Sequence, residues 1–305
     1  MLVLVIGALA SCGTKEQAQP KRSPAAGEIA FKSLAPDVYR PCGLAAARDA
    51  VWVLSCSGKA VKVGSGGDRI ARGIDGEIVG LEGLSGDGSS SLYVLVARGS
   101  GSGRSGAVIP IDAAAAETTT AIDLGKSIPM HAAYAGGTTW VAGIDGSLFM
   151  IEGASARRVA SGPPLLWVAT DGTKIWTVAE NGDVVERSGT GGAAKTFSGV
   201  LPNTIAAAAG EGSVWLAAET GVVRLDTSTG TVTPVDVAGT VNHIEPCGGH
   251  VWLSQPDFGV RSVDATGKAL RSVPSSEAPS YLACDGSKLW ILTENGSLGS
   301  IDTAN

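Results

Sequence analysis

LACDGSKLWILTENGSLGSID, residues 282–302, reads as three short strands joined by two tight turns. An apolar run stops at Asp285-Gly286, and a second opens at Leu289-Trp290. Asn295-Gly296 then supplies the backbone freedom that a hairpin demands, and a third run ends at Asp302. The same unit appears in residues 128–149 (IPMHAAYAGGTTWVAGIDGSLF), 163–187 (PPLLWVATDGTKIWTVAENGDVVER), 204–226 (TIAAAAGEGSVWLAAETGVVRLD) and 243–264 (HIEPCGGHVWLSQPDFGVRSVD). In most units a fourth apolar run follows, as in TVTPVDV (231–237) and KALRSVP (268–274). No window of helical length keeps a turnless 3.6-residue period, so the pattern is that of antiparallel meanders.

One aromatic residue anchors each unit: Trp52, Tyr93, Trp140, Trp176, Trp215, Trp252 and Trp290, spaced 41, 47, 36, 39, 37 and 38 residues apart. Four strands per unit of roughly 40 residues is the dimension of a propeller blade. The expectation is an all-β, seven-bladed β-propeller of four-stranded antiparallel sheets over residues 28–305. Trp167, nine residues before Trp176, falls on the innermost strand of the same blade, because TDGTK between them is a turn. The 47-residue interval holds a Gly/Ser connection at Gly99 to Gly106, expected as an exposed loop. Only 15 residues follow Trp290, enough for a third strand and too few for a fourth. The segment Glu28 to Leu34 is expected to complete that last sheet, so that the N-terminal strand closes the ring and no edge is left open.

The first twelve residues, MLVLVIGALASC, are an apolar run ending in Leu9-Ala10-Ser11-Cys12. This ending resembles a bacterial lipoprotein signal, with Cys12 as the lipidated residue after cleavage. No Lys or Arg precedes the run and it is short for a signal, which an upstream start would explain. Residues 13–27, GTKEQAQPKRSPAAG, read as a flexible linker. The alternative is a buried first strand. No other stretch is apolar enough to span a bilayer, so the expectation is a propeller tethered to the membrane of a bacterial envelope.

Removing Cys12 leaves four cysteines, an even number suited to an oxidising compartment. Cys42 and Cys56 lie symmetrically about a turn near Asp49, which places them across one hairpin. Cys247 and Cys284 precede their anchors by five and six residues on successive innermost strands, so an inter-blade bridge is expected; the alternative is two buried thiols. A net charge of -6 argues against nucleic acid as a partner.

The chain has three histidines. His131 and His243 each stand nine residues before an anchor, which puts them on innermost strands facing the channel, with two blades between them. Glu245 alternates with His243 on one strand and shares its face. His250 reads as an exposed strand start. Glu180, Glu219 and Glu294 occupy the same turn offset after Trp176, Trp215 and Trp290, and could form a carboxylate ring or simply be solvated turn residues. No nucleophile elbow, phosphate loop or zinc signature is present.

The recurrent small residue, Asp-Gly turn, Leu-Trp and Glu-Asn-Gly, as in residues 282–302, resembles the blades of streptogramin (virginiamycin B) lyase-like propellers and the related NHL and two-component-regulator propellers. The resemblance covers residues 28–305. It implies a histidine and acidic residues acting with magnesium at the central face, and PMHAAYAGGTTW (129–140) resembles the histidine-bearing blade start of that family, pointing to His131. The following VAGIDGSLF (141–149) departs from the family's Trp-Phe-Thr-Glu type of segment. The preferred expectation is therefore a binding or scaffolding module for a protein, peptide or glycan, without a cofactor. The alternative is a lyase or hydrolase assisted by a divalent metal such as magnesium, with His131, His243, Glu245, Glu180 and Glu294 as candidate ligand-binding residues.

Overall fold

A computed structural model describes residues 28–303 apart from 36, 48–49, 65–68, 84–90, 113–114 and 287. Cys12, expected to be lipidated, and residues 13–27, expected to form a linker, lie outside the described residues. Seven antiparallel sheets follow one another along the chain. The innermost strands are Pro41–Ala47, Glu77–Gly83, Pro129–Ala135, Leu165–Thr170, Ala206–Gly210, His243–Cys247 and Pro279–Cys284. Each touches the innermost strand of the next blade, and the last touches the first, so the ring is closed. Six sheets have four strands; the second has a fifth, because both Glu117–Thr118 and Ile122–Asp123 pair with Ser105–Asp112. The Gly/Ser connection expected at Gly99 to Gly106 is exposed from Gly99 to Arg104 and contains a 3-10 turn at Gly101–Gly103. Ser105 and Gly106 already belong to the next strand.

Seven apolar clusters hold the ring, one in each seam between neighbouring blades. Trp52, Trp176, Trp215, Trp140 and Trp252 each belong to a different cluster, while Tyr93 and Trp290 pack against the remaining two. The second strand carries the anchor and is the most buried of its sheet, as the fully buried Ala50–Ser55 and Ser213–Ala218 show. The fourth strands, such as Ser155–Ala160 and Ala193–Phe197, face solvent. A flat ring fills such a seam only if the inner strand opposite it is slim. Accordingly Ala45, Ala133, Ala169, Ala208 and Ala283 stand in register with their blades' tryptophans. The indole N–H groups of Trp215, Trp252 and Trp290 donate five residues back, to Gly210 O, Cys247 O and Asp285 Oδ2.

Closure is as expected from the termini. Lys32 and Ser33 pair with Leu298 and Ser297, and Leu34 N–H donates to Gly296 O at 3.0 Å. Ile29 enters the seam between the sixth and seventh blades and Leu34 the seam between the seventh and first. Gly299 is required beneath this segment, because a Cβ there would stand 2.7 Å from Ile29 Cγ2 and 2.9 Å from Phe31 Cδ1.

Two disulfides complete the frame. Cys42–Cys56 ties the first two strands of the first blade, with Cα atoms 5.3 Å apart. Cys247–Cys284 joins the innermost strands of the sixth and seventh blades, with Cα atoms 5.5 Å apart. The second closes a 37-residue separation, which in the chain-entropy account stabilises the fold by on the order of 4 kcal/mol. No helix among the described residues is long and apolar enough to cross a membrane.

The seam packing makes a direct prediction. Trp215 is completely buried, so Trp215→Ala is expected to cost about 3–5 kcal/mol in guanidinium unfolding, whereas Val232→Ala on the exposed fourth strand of the same blade should change stability by less than ~0.5 kcal/mol. Equal losses for the two variants would contradict the seam account.

Candidate functional site

The innermost strands enclose an axial funnel of about 1170 Å³. Its shape follows from the register. Counting two residues beyond each anchor and crossing to the inner strand gives one layer of seven positions: Gly43, Gly80, His131, Trp167, Ala206, His243 and Tyr281. Blades three, four, six and seven thus place rings in this layer. Blades one, two and five place a glycine or an alanine there.

His131 stacks on Trp167 of the next blade, with ring centroids 4.1 Å apart. His243 meets Tyr281 of the next blade at 6.0 Å. Both imidazoles keep part of their surface open to the funnel, yet protein surrounds them on nearly all sides. Burial therefore lowers the pKa of His131 to about 3, with the charge that His243 would carry as a second cause; the hydrogen bond with the Val168 backbone works in the opposite direction. Burial alone lowers His243 to about 4. Two blades separate the histidines, but they face one electrostatic space, and both are neutral at physiological pH. The Nδ1 atom of His243 is buried and has no hydrogen-bond partner among the described residues.

Glu245 lies two residues beyond His243 on the same strand. It stands opposite Trp252, at the position where five blades carry alanine and the second carries Glu82. Its Oε1 accepts the Cys284 N–H at 3.1 Å, beside the bridge from Cys284 to Cys247. Burial raises its carboxyl to about 8 against that hydrogen bond, so the group is mostly protonated at neutral pH. Two strand residues advance about 6.6 Å, which leaves His243 and Glu245 within the length of one small ligand.

The remaining candidates are dispersed. Glu180, Glu219 and Glu294 all sit on exposed turns between second and third strands, and of the three only Glu294 lines the funnel. His250 starts the strand His250–Gln255 and is half-buried, not exposed as its sequence position suggests, because neighbouring side chains cover the ring. Trp167, Tyr281 and Arg40 also line the funnel, although sequence patterning did not single them out as site residues. The signal for the first two was present, since they precede Trp176 and Trp290 by nine residues, as the two histidines precede their anchors.

A hard divalent cation takes about six oxygen donors in near-octahedral array. The middle of the funnel offers one carboxyl, Glu245, kept neutral by burial and already accepting a backbone N–H. Among the described residues no group of three or more His, Cys, Asp or Glu side chains could hold a metal ion. The donor set does not fit magnesium, and no chemical step is derived through a metal.

No family model matches the chain, and no curated protein matches it in sequence. Solved structures do match in fold. A catalytically inactive histidine-to-alanine variant of virginiamycin B lyase from Staphylococcus aureus, with quinupristin, superposes with a TM-score of 0.71 at 14% identity, over 90% of this chain and 99% of that one. BamB from Moraxella catarrhalis gives 0.62 at 14% identity, over 90% and 99%. Hydrazine synthase of Kuenenia stuttgartiensis gives 0.69 at 14% identity, over 88% and 97%. At this identity the likeness establishes the seven-bladed fold alone.

The titrations of the site have a worked sign. Folded Glu245 holds a proton up to about pH 8 that the unfolded chain releases near 4.5, so its contribution to stability falls as pH rises through that window. The histidines act oppositely: the unfolded chain takes up protons below about 6.5 that the folded protein refuses until about 4 and 3, so stability falls on acidification. Glu245→Gln keeps an acceptor for Cys284 N–H. It is expected to raise Tm relative to the native protein at pH 8 by more than at pH 4.5; the same shift at both pH values would contradict the burial of this carboxyl.

Proposed function

We propose that this chain is an extracytoplasmic propeller whose funnel binds a small molecule or peptide segment and acts on it by proton transfer, as a lyase or hydrolase. The observation that carries the reading is that His131, His243 and Glu245 line one funnel, with both imidazoles neutral and the carboxyl protonated. A neutral imidazole with an open nitrogen can accept a proton; a protonated buried carboxyl can donate one. In an elimination, His243 takes the proton α to a carbonyl, the electron pair forms the new double bond, and the bond to the leaving group breaks as Glu245 supplies its proton. His131, stacked on Trp167 and bonded to the Val168 backbone, orients the bound molecule.

The two disulfides favour an oxidising compartment, and the sequence around Cys12 supports a lipid anchor with residues 13–27 as its tether. A second reading, a binding or scaffolding module, is favoured by a specific observation. Tyr39, Ile144, Ile205 and Phe258 are large apolar residues that remain exposed. All four sit on turns at the face where the innermost strands begin, around the mouth of the funnel. Such a rim suits a protein, peptide or glycan partner.

Quinupristin, the molecule present with the lyase variant, is the first probe. Turnover followed by liquid chromatography is expected to fall at least ~100-fold in His243→Ala and to fall in Glu245→Gln as well, with Tm of the latter at or above that of the native protein. Unchanged turnover in His243→Ala would overturn the acid–base reading, and binding to the native protein without turnover would select the binding module.

A further inference from the structure

We propose that Arg40 is the specificity residue of the funnel and that the ligand it selects bears a carboxylate at one end of an apolar or aromatic body. This inference rests on the funnel being a ligand site. Among the described residues that line it, Arg40 carries the single fixed positive charge. It is exposed, has no hydrogen bond or ion pair from its guanidinium among the described residues, and stands at the mouth, three residues before Gly43 in the ring-bearing layer. Below it, Gly43 puts no side chain into that layer; His131 and Tyr281 stand on the blades that flank the first two, and Trp167 and His243 stand farther round the ring.

The protein holds Arg40 in an unfavourable conformation to present it there. Its φ is 54°, in the left-handed region that a residue with a Cβ rarely occupies. Several links impose it. Cys56 N–H donates to Arg40 O at 2.8 Å. Ser55 Oγ accepts from Tyr39 N–H at 3.2 Å and donates to Tyr39 O. The Cys42–Cys56 bridge pins the strand two residues on. Glycine would adopt this backbone at no steric cost, and nothing in the packing of the exposed side chain requires arginine. A planar guanidinium with five donors matches a carboxylate in two parallel hydrogen bonds. Of the carboxylates lining the funnel, Asp171 and Glu211 lie at the far end, where the innermost strands finish. Glu245 lies in its middle, and Glu294 shares the mouth on the neighbouring blade. Among the described residues, a bound carboxylate therefore has one cation to meet and one like charge at the mouth, Glu294, to avoid, which fixes the side of the mouth on which it binds.

The test uses N-acetyl-diphenylalanine as the free acid and as its C-terminal amide, with affinities measured by calorimetry on the native protein, Arg40→Gly, Arg40→Lys and Glu294→Gln. The native protein is expected to bind the acid at least about tenfold more tightly than the amide, the worth of one charge-assisted pair. Arg40→Gly should abolish that preference while Tm holds or rises, because glycine relaxes the backbone. A purely structural arginine would give no such split. Arg40→Lys should keep part of the preference, and Glu294→Gln should increase it. Equal affinity of acid and amide for the native protein, or a preference that survives Arg40→Gly, overturns the role of Arg40. If both compounds bind equally and Tyr281→Ala weakens both, the funnel reading stands and this inference alone falls. If neither compound binds at millimolar concentration, both readings fall.

Discussion

The structure depends on one repeated contact, a flat aromatic ring filling the seam between each blade and the next. A four-stranded sheet alone leaves two apolar faces bare, and neither can be covered by its own strands. Seven seams each filled from one side make the ring close on itself, and Lys32 and Ser33 close the last sheet from the other end of the chain. The contact also sets depth. In five blades the anchor meets alanine on the inner strand, and in all seven the register between first and second strands holds the anchor at the same height, and with it each residue of the inner strand.

That fixed height turns a sequence offset into a site. Positions two residues past each anchor pair with Gly43, Gly80, His131, Trp167, Ala206, His243 and Tyr281, which come from parts of the chain as far apart as 43 and 281. One layer below, the rule that favours alanine is broken at Glu245, and the cost of burying a carboxyl there is reduced by keeping it protonated and by the Cys284 N–H. A residue that departs from its repeat on a funnel-lining strand is a better candidate for function than one that follows it.

Much of this was readable from the sequence. The aromatic period, the Asn-Gly turns and the short C-terminal remainder led to seven blades and to closure by the N-terminal segment, because each is a local signal repeated many times. Both cysteine pairs followed from their offsets within blades. The site was only half legible. His131 and His243 stood out because histidine is rare in this chain, whereas Trp167 and Tyr281, at the same offset, passed as ordinary core aromatics. Arg40 could not be found at all from patterning. What sets it apart is a backbone angle and a guanidinium with no partner among the described residues, and neither leaves a trace in spacing. Glu180 and Glu294 show the converse: their shared offset reflects a common turn, and a seven-bladed ring spreads such turns around its rim.

Proton occupancy inside the funnel is the most direct test. Carbon-detected NMR of the folded protein, following the imidazoles of His131 and His243 and the carboxyl of Glu245 between pH 3.5 and 9, reads the three groups separately. The account predicts that His131 stays neutral throughout, that His243 takes up its proton only near pH 4, and that Glu245 titrates near pH 8. Imidazoles titrating near 6.5 together with a carboxyl near 4.5 would mean that these groups are solvated and apart, and the funnel would not be the site described.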